Sequence, residues 1–237
     1  LYIAPDEIKL GVRESVPDVA RVLSRYVDVI MARVFSHADV AGLAKWASVP
    51  VINGLSDLCH PCQGMADLLT IRGRLGRLAG VRLVYLGDGN NVTHSLLYAA
   101  AKTGMHLTVS TPQGYDALPQ VVAEAQQMAA ETGAVIRFER NPRNAVEGAD
   151  VLYTDTWTSM GQEAEAAVRR GIFPAYQINA ALLEHAGPQA AVMHCLPAHR
   201  GEEITDEVAD GPRSWLFDQA ENRLHAQKAV LVDLLTR

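Results

Sequence analysis

Short apolar runs alternate along the chain with stretches in which apolar residues recur every three or four positions. The segment "SVPDVARVLSRY" from Ser15 sets a capping serine, an early proline and Asp18 ahead of Val19, Val22 and Leu23, which predicts a helix. "VDVIMARVF" then reads as a short buried strand, and "DVAGLAKWA" followed by "VPVINGL" repeats helix then strand. Pro61 is placed to start a helix through Ala66, Leu68 and Leu69, and the Gly/Arg-rich "RGRLGRLAG" after it reads as a hinge. Beyond the hinge, strands are predicted near 81–86, 107–110, 134–138, 151–154 and 191–194. The helices "NNVTHSLLYAAAKTG" and "LPQVVAEAQQMAAETG" stop at Gly104 and Gly133. Leu224, Ala226, Ala229, Val230 and Leu234 mark one long terminal helix. Apolar strands separated by helices imply an α/β fold whose parallel sheet is covered on both faces. Ligands in such sheets sit beyond the carboxyl ends of the strands, so those ends are where chemistry is sought.

Composition narrows the field. A chain of 237 residues, 49% hydrophobic, can bury a core of one large or two small domains. The formal net charge of −6 and the dispersed basic residues argue against a nucleic-acid face, though a few local arginines can still bind a small anion. No apolar run approaches the roughly 18 residues of a spanning helix, and no leader opens the chain, so a soluble, cytoplasmic protein with no membrane partner is expected. Three cysteines do not make a disulfide framework, and reduced thiols are expected. The chain opens at Leu1, without methionine, in what reads as the middle of a domain, which suggests a missing N-terminal part.

The strand ends carry the candidate chemistry. Gly87-Asp88-Gly89-Asn90-Asn91-Val92 offers two glycines of a dinucleotide fingerprint, but Val92 takes the third place and no acid follows about 20 residues on. A tight strand-to-helix turn is the competing reading. Asp155-Thr156-Trp157-Thr158-Ser159-Met160-Gly161 sets a carboxylate before a polar loop that can hold an ammonium group, or Asp155 or Ser159 can cap the next helix. Cys59-His60-Pro61-Cys62 is formally C-x-x-C but lacks a second ligand pair; His60 and Gln63, flanking a helix start, can instead bond a carbonyl or phosphate oxygen. Arg33, after an apolar run, needs an anionic partner or solvent, and Arg223 raises the same choice. His194-Cys195, before Leu196-Pro197, can be a metal site, a nucleophile or a polar contact.

In their order, "LGVRESVPDVARVLSRYVD", "MARVF", "HPCQ", "LGDGNNVTHS", "DTWTSMGQE", "HCLPAHRGEE" and "AENRLHAQ" resemble the transcarbamoylases, in particular their ornithine-using branch. The resemblance implies two doubly wound parallel-sheet domains, the first incomplete: a partial carbamoyl-phosphate domain over 1–72, an ornithine domain over 73–212, and a helix over 213–237 returning to the first. It implies transfer of a carbamoyl group from carbamoyl phosphate to the side-chain amine of L-ornithine, with no cofactor and no resident metal. Arg33, His60, Gln63, Cys195, Leu196 and Arg223 would meet carbamoyl phosphate, with His60, Cys195 and Arg33 catalytic. Asn91, Asp155, Ser159 and Met160 would meet ornithine. The family usually forms trimers, so a homo-oligomer is expected, in which Lys9 would reach a neighbour's phosphate. The family's Ser-Thr-Arg-Thr-Arg segment is not in this sequence. Rival readings are a transcarbamoylase for another amine such as putrescine, a non-catalytic amino-acid-binding fragment, and a nicotinamide dehydrogenase.

Overall fold

The computed structural model describes residues 1–159 and 161–236. Helices α1 (Pro5–Ile8) and α2 (Val16–Leu23) precede strand β1 (Ile30–Arg33), α3 (His37–Trp46), β2 (Val51–Leu55) and α4 (Pro61–Leu75). The chain continues through β3 (Arg82–Leu86), α5 (Asn91–Thr103), β4 (His106–Ser110), α6 (Pro119–Thr132), β5 (Ile136–Phe138) and α7 (Pro142–Val146). Strand β6 (Val151–Thr154), α8 (Ala166–Ile172), α9 (Ala180–Ala186), β7 (Ala191–His194), α10 (Asp206–Ala209) and α11 (Leu216–Leu235) complete it. Strands β1 and β2 form a two-stranded parallel sheet, and the other five form a parallel sheet in the order β5-β4-β3-β6-β7.

The strands β3, β6 and β7 of the larger sheet are buried on both faces, which is why they read as largely apolar runs, whereas the edge strand β5 is exposed. Leu83, Tyr85, Leu107, Val151 and Tyr153 pack on one face against α5, α6 and Ile71 of α4. Val84, Leu86, Leu152 and Val192 pack on the other against residues of α7, α9 and α10. Local signals set the boundaries: Ser15 accepts the Asp18 N–H at 3.3 Å, and Asn90 accepts the N–H groups of Val92 and Thr93 to start α5.

Two expectations need correction. "RGRLGRLAG" is not a loop from its start: α4 runs through Arg72, Gly73 and Arg74, and Gly76, at φ +71°, ends it. Residues 72 and 73, on either side of the expected domain boundary, lie in the last turns of α4, whose Leu75 packs on the main core. Strand β1 is not fully buried but alternates, with Met31 63% exposed, because its two-stranded sheet is covered on one face by α2 and α3.

Candidate active site

The order of the larger sheet reverses between β3 and β6, so their carboxyl ends diverge into a crevice. Across it lie β1, β2 and the start of α4. The result is a cleft of about 810 Å³, lined by Arg33, His60, Gln63 and Arg223 on one side and by Asn90, Asn91, Asp155, Ser159, Cys195 and Leu196 on the other. Residues separated by up to 190 positions in sequence (33 to 223) thus share one cleft.

The first side is basic. Arg33 is exposed and has no ion-pair partner among the described residues, so of the two alternatives, an anionic partner or solvent, it is solvent that meets it here. Arg223 donates through Nη1 to Gln63 Oε1 at 2.7 Å, bridging α11 and α4. His60 holds the N-cap position of α4 without a side-chain cap bond, and its backbone N–H donates to Ser95 Oγ at 2.7 Å. Its ring is buried, with Nδ1 unpartnered. Burial first, then the charges of Arg223 and Arg33, pull its pKa down to about 3. The ring is therefore neutral at physiological pH and offers one N–H. Of the C-x-x-C pair, Cys59 takes a hydrogen bond from Asn53 Nδ2 and Cys62 donates to the Asn53 carbonyl; both are free thiols, raised above their ordinary pKa by burial.

The second side is built around Asp155. Its Oδ1 accepts the Cys195 thiol at 2.9 Å and the Thr156 N–H at 2.7 Å, and its Oδ2 accepts Asn90 Nδ2 at 2.7 Å. Burial, then the Asp155 charge, hold Cys195 well above the usual thiol range, so it stands as a protonated donor. Asn90 also donates to Ser159 Oγ at 3.0 Å, tying the polar loop to the β3 end. Neither Asp155 nor Ser159 caps the following helix, because the side-chain oxygens face the cleft network. Asn91 lines the cleft, but its amide donates to the Ser56 carbonyl at 2.8 Å, and Asn90 is the one bonded to Asp155. Met160 lies outside the described residues. Lys9 is exposed and does not line the cleft.

The glycine turn is structural. The Gly89 N–H donates to the Tyr115 carbonyl, and a Cβ on Gly89 would sit 2.2 Å from the Ala117 backbone nitrogen. The N–H groups of Gly87, Gly89, Asn90 and Val92 in this turn are spent on acceptors within the protein. Leu196 adopts φ +55° while its N–H donates to His194 Nδ1 at 2.8 Å, so Nε2 of His194 carries the proton and donates to Glu203 at 3.0 Å. Both ring nitrogens being engaged, His194 belongs to the support of the loop rather than to a metal.

Several buried polar residues of this site escaped the sequence reading. Asp67 accepts from Gln63, Gln219 and Tyr153. Arg169 and Asp88, both more than nine-tenths buried, pair at 2.9 Å, and Arg169 also holds the Trp157 carbonyl at the start of the polar loop. A lone acid within the apolar run "MADLL" was a usable signal for Asp67; Arg169, next to the exposed Arg170 of α8, gave none.

The sequence matches the family described as "Aspartate/ornithine carbamoyltransferase, carbamoyl-P binding domain" over residues 1–73, and its "Asp/Orn binding domain" over residues 79–234. The chain belongs to the aspartate/ornithine carbamoyltransferase family. An ornithine carbamoyltransferase of Thermococcus kodakarensis is 58% identical over 231 residues, 98% of this chain and 73% of that protein. The solved ornithine carbamoyltransferase of Pyrococcus furiosus superimposes with a TM-score of 0.96 at 56% identity, covering 100% of this chain and 75% of that one. The anabolic enzyme of Campylobacter jejuni superimposes at 0.94 with 34% identity, covering 99% and 78%. Family membership also removes the nicotinamide reading of the glycine turn.

Proposed function

We propose that this chain transfers the carbamoyl group of carbamoyl phosphate to the side-chain amine of L-ornithine, giving citrulline and phosphate. The observation that carries the reading is the two-sided cleft, with arginines facing an Asp155–Cys195 pair. The neutral amine attacks the carbamoyl carbon, a C–N bond forms, and charge gathers on the carbonyl oxygen. The C–O bond to phosphate then breaks; phosphate leaves with the electron pair and takes up the amine's proton.

Arg33 and Arg223 would meet the phosphate, since guanidinium donors match its oxygens and place positive charge where negative charge grows. Neutral His60 would donate its N–H to the developing oxyanion. Gln63 and Leu196 would flank the carbamoyl group. Asp155 would accept the ornithine ammonium and orient it, while Cys195, as a thiol donor, tempers that carboxylate so that it does not hold the amine's proton too firmly. Asn91 and Ser159 would line the rest of the acceptor. A cytoplasmic setting and a trimer in which Lys9 reaches a neighbouring site complete the proposal, and light scattering of the purified protein reads the trimer.

The test is citrulline formation with carbamoyl phosphate and a panel of ornithine, putrescine and aspartate. Ornithine is expected to be preferred; preference for another amine, or no product, overturns the reading. His60→Ala is expected to lower kcat about a hundredfold. Because His60 stays neutral down to about pH 3, the wild-type rate should show no limb between pH 5 and 8 that His60→Ala removes.

A further inference from the structure

An amide side chain can present either end to a neighbour, and Arg223 can use only the oxygen of Gln63, because a guanidinium has donors alone. The group that decides the orientation lies one turn further along α4. Asp67 Oδ1 accepts Gln63 Nε2 at 2.8 Å, which leaves Gln63 Oε1 for Arg223 Nη1 at 2.7 Å. The same Oδ1 accepts Gln219 Nε2 from α11 at 2.7 Å, and Oδ2 accepts the Tyr153 hydroxyl from β6 at 3.1 Å. Gln219 is thereby polarised as well: its Oε1 accepts the backbone N–H of His194, the residue before Cys195, at 2.8 Å. Asp67 is 1% exposed and Gln219 is fully buried, so no solvent competes for these bonds.

One carboxylate therefore fixes two amides that point to opposite sides of the cleft. We propose that Asp67 is a positioning residue for the transfer reaction: through Gln63 it sets the guanidinium of Arg223 at the carbamoyl-phosphate side, and through Gln219 it holds the strand end that presents Cys195. Asp67 touches neither substrate. Its effect on carbamoyl phosphate passes through Gln63, and that makes the claim separable from a general role in folding. The inference rests on the reading that Gln63 and Arg223 receive carbamoyl phosphate.

The deciding experiment is a double-mutant cycle in the purified protein. Asp67→Leu, Gln63→Ala and the pair are compared by KM for each substrate, by kcat, and by calorimetric affinity for carbamoyl phosphate. Asp67→Leu is expected to raise the KM and Kd for carbamoyl phosphate at least tenfold, and to change either by less than threefold once Gln63 is alanine. An unchanged Kd in Asp67→Leu, or a loss that multiplies in full with that of Gln63→Ala, overturns the proposal. Should Asp67→Leu fail to fold, Asp67→Asn keeps the packing and carries the same cycle. There the expected rise is at least threefold, and it vanishes in the Gln63→Ala background; a rise that persists there overturns the proposal. Citrulline formation by the wild type tests the reaction separately, and the cycle in Kd is decided even if that assay fails.

Discussion

The chemistry of Cys195 is decided by a residue 40 positions earlier. Beside His194 and ahead of a proline, its neighbours in the chain suggest a nucleophile or a ligand. Once β7 lies against β6, its thiol instead donates to Asp155 Oδ1 at 2.9 Å. Burial and the adjacent carboxylate both disfavour a thiolate, the nucleophilic form. Alkylation of Cys195 by iodoacetamide at pH 8 should accordingly run at least tenfold slower than that of a small free thiol. Asp155→Asn should speed it by removing the charge. Site-resolved mass spectrometry reads both rates, and wild-type alkylation at the rate of a small thiol would sink this account. The position of Cys195 at a strand end was legible in its apolar approach and Pro197. Its partner was legible too, but only as another strand end. That the two ends touch depends on the strand order, which apolar patterning does not encode. The same holds for Asn90 and Asn91: the pattern marks both as helix-starting residues. Which of them turns to Asp155 depends on Asn90 being the cap, with its amide free to cross the crevice.

At the scale of elements, α4 shows what its sequence reveals and conceals. Its start at Pro61 could be read directly, and its end could not. Arg72, Gly73 and Arg74 look like a break, yet helical packing against the main sheet overrides the weak propensity of one glycine. Within α4, Asp67 is an acid lodged between Ala66 and Leu68, and the junction with β6 and α11 buries it completely. Burial raises its pKa from 3.8 to about 7, against the lowering effect of its three hydrogen bonds and of Arg223. Because the native pKa lies above the unfolded one, the associated stability is fully present below about pH 4 and is lost as pH rises through 7. A rise of this size corresponds to on the order of 4 kcal/mol at the alkaline end. Asp67→Asn cannot ionise, so between pH 5 and 9 its melting temperature should fall less steeply than that of the wild type. Parallel melting curves across that range would show that Asp67 does not titrate there. His60 acts in the opposite sense. Its pKa is depressed below 6.5, so the unfolded chain takes the proton first and stability is lost as pH falls from about 6.5 towards 3.

At the scale of the whole molecule, the cleft exists because α11 joins its two sides. The terminal helix was legible from its spacing, but not what it touches. Its N-terminal half bonds both to β7 and to α4. The Trp215 N–H donates to the Val192 carbonyl of β7, and Gln219 accepts from His194. Asp218 pairs with Arg74, Asn222 donates to Thr70, and Arg223 donates to Gln63, all on α4. Ala226 continues the buried face. The contacts with α4 lie 144 to 160 residues apart in sequence, so the helix closes a long loop, and the orientation of the two sides depends on it. Ending the chain after Pro212 would remove Arg223 from the phosphate side and leave Asp67 with one donor fewer. It would also expose the apolar flank of α4, while the five-stranded sheet keeps both of its cores except for Trp215 at the edge of one and Leu216 in the other. The shortened protein should thus retain most of its far-ultraviolet circular dichroism, show a larger radius of gyration by small-angle scattering, and lose carbamoyl-phosphate binding. Retained affinity for carbamoyl phosphate would mean that the arginine side of the cleft assembles without α11, and that this helix covers the site rather than building it.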